Sequence, residues 1–248
     1  MNAAGSITSV RHVLPSNGIT NANGVAHYAM PPTGPAGLVG LYSPRMERFA
    51  DGDSIQNLAD LSGSGNDIAQ STASKRPTLD ENGALFDSVD DYIGATGIHK
   101  PTTALSVAAW FKCGASNALR FIVSHGDTGY EGYYLSQNSN GTFRFHCGDG
   151  SGDAKAESTT AAAANAEVFV VGTWDGSNLR IYVAGVEEAS AAFTGPISYG
   201  ASLGDGFMLG QSEGFTASRY WDGHIFDAAI YNRVLSSNAV AAMNRWQR

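Results

Sequence analysis

The chain has 248 residues with 15 Lys or Arg, 23 Asp or Glu and a formal net charge of -8, a balance that argues against nucleic-acid binding, which needs a basic stripe. No apolar run approaches the roughly 18–20 residues that span a bilayer, which argues against a membrane-spanning helix. Thirty glycines and only 15 % charged residues suit many short strands and tight turns in a large all-β domain, and no polar linker divides the middle of the chain.

Residues 1–36 are polar and rich in Gly, Asn and Pro, with scattered single apolar residues, a composition that buries too little surface to fold alone. They lack a basic stretch followed by an apolar one, so they do not read as a signal peptide. The expected role is an extended arm that docks or anchors, with residues 37–248 forming the folded domain.

Next in order come DLSGSGND (60–67), FDSVDDYI (86–93) and SVAAWFK (106–112). Asp87, Asp90 and Asp91 are the densest acidic cluster; the first two flank a tight turn, where side-chain to backbone hydrogen bonds explain them better than acid-base work. Cys113 and Cys147 each end a predicted strand; they read as small apolar residues, with a bridge across a sheet as the alternative. In residues 142–146, Phe143 and Phe145 point in while Arg144 and His146 point out. Residues 155–167 (KAESTTAAAANAE) have high helix propensity without apolar periodicity and read as a surface loop.

VFVVGTW (168–174) and LRIYV (179–183) are β-rich runs joined by the turn formers Asp175, Gly176, Ser177 and Asn178, a hairpin. Leu179, Ile181 and Val183 face a core, and Arg180 and Tyr182 face water. Near the end, Ser236 is the N-cap of a short helix, with Leu235 stapled to Val240, and Val240, Met243 and Trp246 share one face.

Five of these phrases, DLSGSGND, FDSVDDYI, SVAAWFK, GTWDGSNLRIYVAG (172–185) and YWDGHIFDAAIYNRVLS (220–236), resemble in their order the concanavalin A-like lectin/glucanase superfamily, in its laminin-G-like, pentraxin-related branch. The resemblance covers about residues 37–246. It implies a two-sheet antiparallel β-sandwich of jelly-roll type that binds or scaffolds. Ser64 and Ser88 depart from the pattern, standing where relatives carry Asn and Gly.

Calcium is common in this superfamily, held by loop carboxylates and carbonyls. Asp60 and Asn66 on the Gly-rich loop are candidate ligands, joined by Asp227 if the first and last strands pair. Asp149, Ser151 and Asp153 alternate like a calcium loop, but Ala154 and Thr160 stand where such a loop needs Gly and Glu. For a glycan, exposed aromatics beside polar groups are needed. Tyr130 and Phe215 are the candidates, because Tyr134 and Trp221 fall where the family has strand residues.

Catalysis is not expected. The E-x-D-x-E-like strand pattern of glycosidases on this sandwich is missing, as are the G-x-S-x-G, Walker and H-E-x-x-H motifs, and Glu187 and Glu188 would face opposite ways on a strand. The arm and the jelly roll together suggest a phage virion component, a capsid decoration or tail/fibre protein made in the host cytoplasm. Other virion proteins would then be partners through residues 1–36, and the chain would be a homo-oligomer. The alternatives are a carbohydrate-binding or adhesion module on a surface glycan, and, less in keeping with the motifs, a glycan-active enzyme.

Overall fold

The computed structural model describes residues 19–20, 26–27, 36–47, 49–115, 118–126, 130–199, 206–212 and 219–245. The strands are Ile19–Thr20 (β1), Ala26–His27 (β2), Leu38–Tyr42 (β3), Asn57–Leu58 (β4), Ile68–Ala69 (β5), Thr78–Asp80 (β6), Gly83–Asp87 (β7), Ile93–Thr96 (β8) and Leu105–Cys113 (β9). They continue with Arg120–His125 (β10), Tyr133–Gln137 (β11), Thr142–Gly148 (β12), Asp153–Ala161 (β13), Glu167–Trp174 (β14), Asn178–Val183 (β15), Val186–Ala192 (β16), Gly206–Leu209 (β17) and Asp222–Tyr231 (β18), and Ser237–Arg245 forms a helix (α1). Outside the small β1–β2 pair, the strands build two antiparallel sheets. One runs β13-β12-β11-β10-β17-β8-β5-β4; the other runs β16-β15-β14-β9-β18-β7-β6, with β3 also on β18. This is the expected sandwich.

The alternation along each strand sorts residues between two apolar layers. Leu105, Val107, Ala109 and Phe111 of β9 enter the core between the sheets with Phe143, Phe145, Leu179 and Ile181. Ala108 and Trp110 take the opposite face and join a second cluster with Phe169, Tyr182, Tyr231, Leu235, Val240 and Met243. Because α1 covers that face, Tyr182 is 4 % exposed rather than wet. The helix starts as its sequence dictates: the Ala239 amide donates to Ser236 Oγ at 3.3 Å, and Leu235 and Val240 share the second cluster. Trp246 lies outside the described residues.

Two other expectations change and a third holds. Residues 153–161 form β13, not a loop, because pairing with β12 over Gly148↔Asp153 to Thr142↔Ala161 outweighs the helix propensity of the alanines. His146 faces away from the inter-sheet core but is covered, stacked on Tyr134 at 4.2 Å with its Nε2 3.1 Å from Asp153. Cys113 and Cys147 are both free and buried, so no bridge crosses the core.

Hydrogen bonds beyond the strand ladders occur on both lateral sides of the sandwich. On one side a single stretch serves both sheets. Gly52 and Ile55 amides donate to Leu79 and Pro77 carbonyls of the β6 edge at 2.7 and 2.8 Å, and further along the Gln70 amide reaches Gln56 O at 2.9 Å beside β4. On the other side β13 meets β16, and the Glu188 carboxylate accepts the amides and hydroxyls of Thr159 and Thr160 at 2.5–3.1 Å.

Candidate functional site

The expected pairing of first and last strands occurs: Ala228 sits opposite Tyr42 and Ala229 opposite Leu41. It does not gather the three candidate calcium ligands in one role. Asp60 Oδ1 accepts the Leu41 and Ser62 amides at 3.0 and 2.9 Å, and Oδ2 accepts Ser62 Oγ and the Asn66 amide at 2.9 and 3.0 Å. Asn66 Nδ2 donates to Val39 O at 2.9 Å. Asp60 and Asn66 therefore satisfy the free edge of β3, doing with side chains what a neighbouring strand would do with its backbone. Asp227 is fully buried and its Oδ2 takes the Arg45 guanidinium. Burial lowers Arg45 to about 10.

Beneath the loop, Tyr42 donates its hydroxyl to Asn66 O at 2.6 Å, so the 2.6 Å contact from His99 must come from a protonated Nε2. Burial brings His99 down to about 4, against the opposing pull of Asp60. The imidazole is thus a neutral structural pin between β3 and the segment before β9.

The acidic trio behaves as its turn chemistry suggests. Asp87 Oδ1 accepts the Val89 and Asp90 amides at 2.8 and 3.3 Å, and Asp91 Oδ2 accepts the Asp87 amide at 3.1 Å. Among the described residues this is a place where three acidic, His or Cys ligand atoms lie within 4.8 Å of one another. Burial, then Asp87 and Asp90, push Asp91 up to about 6.

In the second calcium candidate the residues separate. Asp149 Oδ1 accepts the Ser151 and Gly152 amides, both at 2.8 Å, closing its own turn. Asp153 turns instead to His146 and Lys155.

The aromatic candidates sort clearly. Tyr133, Tyr134, Tyr220 and Trp221 are all buried, whereas Tyr130 is 54 % exposed. Phe215 lies outside the described residues. Tyr130 precedes Gly132, where φ is +68° and an added Cβ would fall 1.8 Å from His125 O, so only glycine lets this loop fold back on β10.

The backbone around Tyr130 is tied at several points. Tyr130 O accepts the Gly150 amide at 2.5 Å, Gly148 donates to Gly132 O at 2.9 Å, Gly132 to Ser198 O at 2.7 Å and Ser198 to Gly148 O at 3.0 Å. Three chain segments, 130–132, 148–152 and 195–199, thereby meet at one end of the sandwich. Their floor is aromatic: the Tyr199 ring packs edge-on to His125 and Tyr133, with centroids 4.7 and 6.2 Å away, and its hydroxyl donates to Pro101 O at 2.7 Å. An exposed ring on a fixed backbone can stack on an apolar ligand face. Sequence position alone singled out Tyr130; the segments that tie its backbone, 148–152 and 195–199, come from distant strands' loops.

No curated protein matches the chain in sequence. Solved structures do match in fold. A Trypanosoma rangeli sialidase in complex with 2,3-difluorosialic acid aligns over 87% of this chain and 34% of its own, at 18% identity and TM-score 0.61. The binding domain of botulinum neurotoxin DC in complex with SialylT aligns over 86% of this chain and 52% of its own, at 12% identity and TM-score 0.62. The Ruminococcus gnavus IT-sialidase CBM40 bound to alpha2,3 sialyllactose aligns over 58% of this chain and 84% of its own, at 18% identity and TM-score 0.50. The chain thus spans about a third of the sialidase and about half of the toxin structure. At such identities the likeness is one of fold. The model described as the concanavalin A-like lectin/glucanases superfamily matches residues 87–241, more than half of a chain whose two sheets and ordered phrases already have that form, and the chain belongs to this superfamily.

Proposed function

We propose that this chain is a non-catalytic carbohydrate-binding module whose glycan site is the sandwich end around Tyr130. The observation that carries this reading is the 54 % exposed Tyr130 ring on a backbone pinned to the 148–152 turn. A backbone fixed in advance leaves only the side chain's own rotamers to order when a sugar stacks on the ring. Fold neighbours described with difluorosialic acid, SialylT and sialyllactose support glycan binding over the virion role expected from the arm. The test is a glycan array with the full chain and with Tyr130→Ala. The reading expects selective binding that falls about tenfold or more in the variant, with an unchanged melting temperature. Undiminished binding by Tyr130→Ala would move the site elsewhere.

A further inference from the structure

We propose that the Tyr130 site takes neutral, hydroxyl-rich glycan ends and rejects those carrying a carboxylate. The inference rests on the reading of this end as the glycan site and concerns what that site selects.

Two carboxylates border it. Asp149 uses only Oδ1 to hold its turn, and Oδ2 has no hydrogen-bond partner among the described residues. That oxygen faces the 195–199 segment, 2.6 Å from where a Cβ on Gly195 would lie. The Ser151 amide, then the Gly152 amide, hold the Asp149 carboxyl below its ordinary range, so it is anionic at neutral pH. Glu131 lies on the other side of the turn, its Oε1 3.9 Å from a Cβ position on Gly150, but it is buried and has an interaction of its own.

The basic groups of the adjoining strands are committed elsewhere. Lys155 and His146 face Asp153, and Arg144 faces Glu157. His146 is held neutral, since burial lowers its imidazole despite Asp153. Lys100, one residue before the Pro101 that receives Tyr199, has an interaction of its own.

A sugar brought to this end would thus meet an anionic acceptor at Asp149 Oδ2, with the Ser198 hydroxyl 3.3 Å from a Cβ position on Gly150. Hydroxyls can donate to Asp149 Oδ2 in charge-assisted bonds, whereas a sialic acid carboxylate would be brought against like charge while the cations of the adjoining strands, among the described residues, are committed to other carboxylates.

The experiment is calorimetric titration of the full chain with paired ligands, neutral oligosaccharides and their sialylated forms, at low and physiological salt. Expected is binding of the neutral member and at least about tenfold weaker binding of its sialylated partner, with the gap narrowing as salt rises. Asp149→Asn keeps the Oδ1 acceptor of the turn, so the fold survives, and it should shrink the gap; the melting temperature checks folding. Equal or tighter binding of the sialylated member, or a gap unchanged by Asp149→Asn, overturns this inference and leaves the glycan reading standing. Binding of neither member by a folded chain overturns both.

Discussion

Replacing Asp60 by Ala removes the acceptor of four donors at once. The Leu41 amide belongs to a residue only 3 % exposed, so it has little access to water, and leaving it unpaired costs about 1–3 kcal/mol. The Ser62 and Asn66 donors sit at the rim, where water takes the place of the carboxylate, and add about 1 kcal/mol together. The expected loss is about 2–4 kcal/mol, or a fall of roughly 4–16 °C in melting temperature for a domain of this size. Asp60→Asn, which can keep one oxygen on Leu41, should lose about 1 kcal/mol. Urea denaturation of the three proteins measures this, with hydrogen exchange at the Leu41 amide as the local readout. Both should be run in calcium and in chelator. An edge clasp predicts the same gap in both; an Asp60→Ala loss under about 0.5 kcal/mol, or a gap present only in calcium, would refute the clasp.

Asp91 has a folded-state carboxyl raised to about 6 from its ordinary 3.8, so the folded chain holds its proton longer and this group lowers stability as pH rises through that window. Asp91→Asn should therefore stabilise the protein by about 1–2 kcal/mol at pH 7, a gain that vanishes below the ordinary 3.8; denaturation at the two pH values checks it. Glu188→Ala should speed amide exchange at Thr159 and Thr160 about tenfold. In the parent chain that protection should persist down through the ordinary glutamate value of 4.5, because the Thr160 and Thr159 donors outweigh burial and hold the carboxyl below it. Cys113, whose thiol burial pushes up to about 12, and the fully buried Cys147 should be silent toward a thiol reagent in the folded chain and react only on unfolding. A rapidly labelled thiol under native conditions would contradict the packing of both strands.

What the sequence made legible was short-range. The β14–β15 hairpin follows from period-2 alternation around Asp175–Asn178, and the α1 start from Ser236 and Leu235, because the groups that satisfy these backbones are a few residues away. Long-range partners were not visible. The alanines of 155–167 carry a helix preference that only β12 overrules, and Tyr182 looked wet because nothing local shows that α1 covers it. Asp60 and Asn66 have the right atoms for a metal, but their partners on β3 are 19 and 27 residues away. Tyr130 is readable as exposed from its loop, whereas the 148–152 and 195–199 segments join it only through pairings among three separate segments.

The most direct test of the account is to map backbone amide shifts of the labelled chain as it is titrated with a neutral oligosaccharide that binds. The account predicts perturbations at Tyr130–Gly132, Gly148–Gly152 and Gly195–Tyr199, the segments that meet at one end of the sandwich. Perturbations confined instead to the outer face around Tyr134 and His146, or to the DLSGSGND loop, would contradict it.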